Sequence, residues 1–279
     1  MDIKNKIGFL GGGRMAEALI KGIIEAGLFE GGNILAVDPA EDRRKLLSAS
    51  YGIMVESDPD GLAECSIVIL AVKPQVMAGL LAAKRHCFNK NQLVISIAAG
   101  ISLAVIESSL EGCECRVIRV MPNTPALVLE GASALCGGSL TTDDDMDKAV
   151  AIFNAVGTSV VLSEAEIDAV TGLSGSGPAY VFSFIEALID GGVKVGLNRQ
   201  VAETLALQTV LGSAKLAIST GEHPATLRAM VTSPGGTTIA GLHEMEKAGF
   251  QGIIMDAVEA ATKRSRELGE LAAGRGKKE

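Results

Sequence analysis

Two short segments carry residue types and spacings that could do chemistry without an acid, a base or a metal. The first, Lys6–Ala18 (KIGFLGGGRMAEA), places Gly11, Gly13 and Ala16 in the spacing G-x-G-x-x-A directly behind an apolar run. In that fingerprint the first glycine makes a tight turn, the second lets backbone approach a pyrophosphate, and the small third residue lets helix and strand pack closely. The expected chemistry is dinucleotide binding, with phosphates on the free N–H groups of a helix start. The second segment, Thr232–Thr238 (TSPGGTT), offers consecutive N–H groups from Gly235 to Thr238 with two hydroxyls beside them. That suits a carboxylate without an arginine, although a capped turn has the same composition.

Further candidates lie between these two. Asp38 stands 25 residues beyond Gly13, near the place where an acidic residue holds the adenosine ribose hydroxyls. That favours NADH, yet Asp38-Pro39 could also cap a following helix, and Arg43 and Arg44 could meet a 2′-phosphate, so NADH and NADPH both stay open. Lys73 reads either as a phosphate ligand or proton donor or as an exposed loop residue. His86, His223 and His243 have no convincing place near either turn. A second polar, glycine-rich segment, Leu173–Tyr180 (LSGSGPAY), reads as another turn before a helix.

The elements that must position these residues follow from apolar periodicity. Ile7, Phe9 and Leu10 form a strand, and Met15, Leu19, Ile20, Ile23 and Ile24 predict a helix over about 14–26, stopped by Gly27. Strands are expected at Ile34–Val37, Ile53–Val55, Ile67–Val72, Leu93–Ala98, Arg116–Met121, Ala132–Cys136 and Ser159–Leu162. Helices fall between most of them. In an open parallel sheet ligands lie beyond the carboxyl ends of the strands. The ends Ala71-Val72-Lys73-Pro74, Ala98-Ala99-Gly100 and Met121 to Pro125, with Asn123 among them, are therefore expected to ring a nicotinamide. From Ser163 the strand pattern stops and only helical periods follow, at Tyr180–Val195, from an Asn198 cap, at Ala225–Met230, Thr238–Ala248 and Ile253–Leu268. The expected division is 1–162, a dinucleotide-binding Rossmann-type α/β domain, and 163–279, an all-helical domain. The stripe Val181, Phe184, Ile185, Leu188 and Ile189 offers more apolar surface than a domain of that size buries alone, which predicts a dimer.

Composition narrows the classes. The chain has 279 residues, 48% of them hydrophobic, enough for real cores. A net charge of −8 with no basic cluster outside the GRGKKE tail argues against nucleic acid and anionic membranes as partners. The longest uncharged runs are broken by glycine, serine or proline, so no membrane segment is expected, and the MDIKNK start predicts a cytoplasmic chain. Five cysteines without a C-x-x-C pattern are expected as thiols, with no metal site.

Taken together, IGFLGGGRMAEALI, AVKPQ, RVMPNTP, LSGSGPAYVFSFIEALIDGGVKVGL and VTSPGGTTIAGL resemble the pyrroline-5-carboxylate reductases over nearly the whole chain. The resemblance implies an NAD(P)H-dependent reductase of proline synthesis whose helical C-terminal domain dimerises, often as five dimers in a decamer. It also implies that Phe9, Leu10, Gly11, Gly12, Gly13, Arg14 and Met15, with Ala71 to Pro74, contact the cofactor. The loop Ser233 to Thr238, through Ser233, Gly235, Gly236 and Thr237, would hold the substrate carboxylate, and Thr238 the ring nitrogen.

The missing acid–base residues agree with this. Reduction of a readily protonated cyclic imine requires alignment more than proton transfer. A β-hydroxyacid dehydrogenase would share the architecture but relies on a helix lysine, and Gly175–Ile185 contains none. A non-catalytic nucleotide-binding scaffold would not need TSPGGTT intact.

Overall fold

A computed structural model of the chain describes residues 6–275. Its first part alternates strand and helix: β1 (Lys6–Leu10), α1 (Arg14–Glu25), β2 (Ile34–Val37), α2 (Glu41–Tyr51), β3 (Met54–Glu56), β4 (Cys65–Leu70), α3 (Pro74–Ala83), β5 (Leu93–Ser96), α4 (Leu103–Ser109), β6 (Arg116–Met121), β7 (Gly131–Gly137), α5 (Asp143–Asn154) and β8 (Gly157–Val161). The eight strands form one sheet in the order β3-β2-β1-β4-β5-β6-β7-β8. Because β1 lies between β2 and β4, the winding reverses at β1, and that switch point is where an open α/β sheet leaves a crevice for a ligand.

Alternate residues of β1 face opposite layers. Phe9 packs with Leu19, Ile20 and Ile23 of α1, Leu47 of α2 and Phe153 of α5, whereas Leu10 packs with Met77 and Leu81 of α3 and Ile106 of α4. Both faces are covered, which is why β4 reads as the unbroken apolar run Ile67–Leu70. Each of these fully buried side chains contributes roughly 1.5–3 kcal/mol.

All strand pairs are parallel except β6 with β7, which run antiparallel. Residues 122–130 join them through one short turn of 3₁₀ helix at Thr124–Val128. That length suits a reversal; a parallel crossover takes a dozen residues or more. The strand expected to end at Ala98 stops at Ser96, and the one expected at Ile53 begins at Met54.

From residue 164 the described chain is helical: α6 (Ile167–Val170), a π-helical turn (Thr171–Gly175), α7 (Gly177–Lys194), α8 (Arg199–Thr220), α9 (Pro224–Met230), α10 (Thr237–Lys247) and α11 (Phe250–Arg275). The chain forms two compact units, residues 1–176 with 260–279, and residues 177–259. Contacts thus divide the molecule differently from the change of period at 162/163. Ile167 is fully buried in the second core cluster of the sheet, and Ser265 of α11 donates to Asp168 Oδ1 at 2.6 Å, so both flanks of the helical segment belong with the first unit.

The second unit has little core of its own. Within residues 177–259 only Ala202 and Ala206 are buried, while Phe182, Leu205, Ile218 and Met255 are 64%, 54%, 83% and 71% exposed. Helix α8 is long and apolar enough by length and composition to cross a membrane. The stripe read on α7 is accompanied by the exposed Phe182, and an apolar helix face left in solvent is one that something must cover.

Candidate active site

The glycine turn is walled on two sides and open on the third. Gly11 has φ +104°, and a Cβ there would lie 2.7 Å from the Ala71 carbonyl oxygen. Its N–H donates to Val37 O at 2.8 Å, while Ala71 N–H donates to Leu10 O at 2.8 Å. A Cβ on Gly12 would meet Leu47 at 2.9 Å, yet one on Gly13 would meet nothing within 4 Å. Gly13 is also the N-cap of α1 and offers no side-chain cap, so the first N–H groups of α1 have no partner in the helix. Space for an anion over Gly13, beside unpaired donors at a helix dipole, is what a pyrophosphate fits.

The other expected cofactor residues divide into those that can present a side chain and those that cannot. Phe9 and Leu10 are buried in opposite core layers, so they can meet a ligand only through main chain. Arg14 is exposed and Met15 half-buried. Val72 is half-buried, Lys73 is exposed at the N-cap of α3 without a side-chain bond, and Pro74 opens the helix. Ala98 is buried past the end of β5. Asn123 is committed elsewhere: its Oδ1 accepts Ala132 N–H at 2.8 Å and its Nδ2 donates to Ser174 O at 3.1 Å, tying the ends of β6 and β7 to the π-helical turn.

Asp38 reaches the turn directly. Oδ2 accepts Gly12 N–H at 2.9 Å and Oδ1 accepts Ala40 N–H at 2.9 Å. It therefore braces the loop; the N-cap of α2 is Ala40, with no side-chain bond. Arg44 Nη1 donates to the carbonyls of Asp38 and Pro39 at 2.7 and 2.8 Å. Arg43 donates to Gly12 O and Gly13 O and pairs with Glu17, whose other oxygen accepts Tyr51 Oη at 3.1 Å. This bracing of the turn was not legible, because a Glu and an Arg 26 positions apart look like two solvated surface charges.

Leu173–Tyr180 is no turn. Residues Thr171–Gly175 form the π-helical stretch, closed by Ser176 N–H on Thr171 O at 2.8 Å, and Gly177–Tyr180 already belong to α7. The hydroxyls of Thr171 and Ser174 bond back to the carbonyls four residues earlier, which favours a widened helix over a turn.

In the second unit TSPGGTT is a true turn before a helix. Gly235 has φ +67°, and Gly236 N–H donates to Ser233 O at 3.1 Å. Gly236 caps α10 without a side-chain bond, and a Cβ there would sit 2.3 Å from Ser233 Oγ. Thr237 and Thr238 then open an uncapped helix of 11 residues. Ser233, Gly235 and Thr237 are exposed, Gly236 and Thr238 half-buried. Among the described residues nothing bonds the hydroxyls of Thr237 or Thr238.

No histidine joins either turn. His223 Nδ1 accepts Ala225 N–H and so caps α9, and His243 is exposed on α10. His86 Nε2 lies 3.0 Å from Asp60 Oδ1, and with Cys87 they bring three potential ligand atoms within 4.8 Å of one another. Lys84 already supplies the cation there, 2.7 Å from Asp58 and 3.6 Å from Asp60, and burial pushes the Cys87 thiol up to about 11. Burial likewise raises Cys65 and Cys136 to about 11 and Cys115 to about 12, so these remain inert thiols.

Over 267 residues the chain is 50% identical to a pyrroline-5-carboxylate reductase of Methanosarcina acetivorans, covering 95% of this chain and 98% of that one. This chain belongs to the pyrroline-5-carboxylate reductase family. Residues 164–268 match the family described as pyrroline-5-carboxylate reductase dimerisation, and residues 6–100 the family described as NADP oxidoreductase, coenzyme F420-dependent. Among solved structures, a pyrroline-5-carboxylate reductase from Coxiella burnetii is 35% identical, with a TM-score of 0.90 over 95% of this chain and 98% of that one. The Plasmodium falciparum pyrroline carboxylate reductase with NADP bound is also 35% identical, with a TM-score of 0.84 over 95% of this chain and 98% of that one. As a family member the chain is an oxidoreductase with a nicotinamide cofactor, NADPH or NADH, and an oligomer.

Proposed function

We infer that this chain reduces 1-pyrroline-5-carboxylate to L-proline, the last step of proline biosynthesis. The observation that carries the reading is identity to named reductases along 95% of the chain, so both turns belong to one enzyme. The division of labour is 1–162 for the nucleotide and 163–279 for substrate and dimer, with five dimers in a decamer as the finer assembly and the cytoplasm as location.

The nicotinamide supplies hydride to the imine carbon; everything else is positioning. Gly11 to Met15 bind the pyrophosphate, Asp38 meets the ribose, and the main chain of Ala71 to Pro74, Ala98 and Asn123 shapes the nicotinamide edge. The N–H groups of Gly235 and Thr237, with Ser233, hold the substrate carboxylate against the positive end of α10, while Gly236 shapes the turn through its own N–H on Ser233 O. Thr238 Oγ1 steadies the ring nitrogen, which arrives protonated, so no histidine or lysine has a proton to deliver.

Loss of nicotinamide absorbance on adding pyrroline-5-carboxylate, run separately with NADH and NADPH, tests this. Turnover of the imine is expected, with no gain of absorbance when 3-hydroxy acids are offered with NAD+ or NADP+; the reverse result would make the chain a β-hydroxyacid dehydrogenase.

A further inference from the structure

We propose that Glu17 sets the cofactor preference by holding Arg43 behind the glycine turn, leaving Asp38 to select the dinucleotide with a free adenosine 2′-hydroxyl. The inference rests on the nucleotide-binding reading of the turn. It assigns a positioning role to Glu17, a residue outside the fingerprint, and resolves the choice between NADH and NADPH toward NADH.

An adenosine 2′-substituent is expected at the end of β2, and four charged side chains, Asp38, Asp42, Arg43 and Arg44, stand there. Asp38 points its carboxylate at the turn. Each oxygen accepts one backbone N–H and keeps a second acceptor site, suited to a ribose hydroxyl and repulsive to a phosphate. Asp42, exposed in the first turn of α2, adds a second carboxylate.

Arg43 is the residue placed to offset them, since it lies in the same first turn. Two of its three guanidinium nitrogens are held at the turn: Nε on Gly12 O, Nη2 on Gly13 O and on Glu17 Oε2. The pair is 22% and 27% exposed, so water screens it less than a surface pair. Tyr51 Oη holds the other Glu17 oxygen. Turning Arg43 toward a 2′-phosphate would leave a mostly buried carboxylate without its cation, which costs more than a surface rearrangement. Arg44 remains, but its Nη1 is fixed on two main-chain carbonyls of the Asp38-Pro39 bend.

The test is equilibrium titration of the full chain with NADH and with NADPH, read by nicotinamide fluorescence, with a thermal melt of each variant. The parent is expected to bind NADH about tenfold more tightly. Glu17→Gln should tighten NADPH about five- to tenfold, the size of one charge-assisted hydrogen bond, and move NADH less than about twofold. The gain should vanish in Glu17→Gln/Arg43→Ala and persist in Glu17→Gln/Arg44→Ala. Glu17→Asp, which keeps the charge, should retain the parent ratio.

A parent that prefers NADPH, a Glu17→Gln variant that moves both affinities equally, or a gain that survives loss of Arg43 would overturn the proposal. If Glu17→Gln does not fold, Tyr51→Phe loosens the same carboxylate and must shift the ratio toward NADPH; an unmoved ratio then overturns it. A parent that binds neither dinucleotide defeats the nucleotide reading itself, an outcome separate from these.

Discussion

The two glycine-rich turns are built alike and finished differently. Both end in an uncapped helix N-terminus, at Arg14 and at Thr237, and both use a positive-φ glycine, Gly11 and Gly235. Around the first, the chain supplies walls: Ala71 and Val37 bond or press on Gly11, Asp38 braces Gly12, and Phe9 and Leu10 anchor the strand in two buried layers. Around the second, Ser233, Pro234, Gly235 and Thr237 stand exposed, in a unit whose only buried residues are Ala202 and Ala206. A carboxylate in open solvent gains little from a few N–H groups, because water competes for every bond. The first turn is thus walled by its own chain, whereas the second stands open, and the dimerisation family match over 164–268 gives a reason to expect a second copy to cover its unit.

The largest expected effect breaks the first turn alone. Gly13→Val fills the open space over the helix start with a side chain whose Cβ meets no protein atom within 4 Å. NADH and NADPH binding should both fall by a factor of a hundred or more, the scale of about 3 kcal/mol, with the melting temperature almost unmoved. A variant that titrates like the parent would put the phosphates elsewhere.

The next breaks the second half alone. Leu205 is 54% exposed on α8 with Leu211 at 49%, and Leu205→Glu would place a charge in the surface that a partner must cover. Sedimentation should show monomer, and imine reduction should fall by well over tenfold while dinucleotide affinity holds, since burying an unpaired charge costs several kcal/mol. A fully active monomer would show that the exposed face has no role in the site.

The contrast also explains what could be read in advance. The first turn was legible because sterics leave only glycine: the apolar runs of β1 and β2 end at Gly11 and Asp38, and Gly11 cannot carry a Cβ. The antiparallel β7 was not, because direction depends on the length of the connection and not on the strand. LSGSG looked like a turn because glycine and serine serve turns and widened helices alike, and only the back-bonding of Thr171 and Ser174 separates them. Asn123 sat at the right strand end, but nothing in RVMPNTP told that its amide would be spent on Ala132 and Ser174. The boundary at 162/163 followed the change of period, whereas compactness followed Ile167 and the Ser265–Asp168 bond, long-range contacts that no local pattern records.

The smallest expected effect asks whether the second turn is a site or a cap. Thr238 Oγ1 is free among the described residues and is proposed to meet the substrate nitrogen, so Thr238→Ala removes one hydrogen bond made as the imine is reduced. The loss in kcat/KM should be about 1–3 kcal/mol, roughly ten- to a hundredfold, with dinucleotide affinity unchanged. Thr237→Ala is the control: its backbone N–H survives the substitution, so a carboxylate held by main chain loses little, and alanine suits the first turn of a helix. If Thr237→Ala impairs the enzyme and Thr238→Ala does not, the two roles are exchanged. If neither moves kcat/KM while both proteins melt as the parent does, TSPGGTT is only the start of α10, and the half of the molecule that looks unfinished binds its substrate somewhere else.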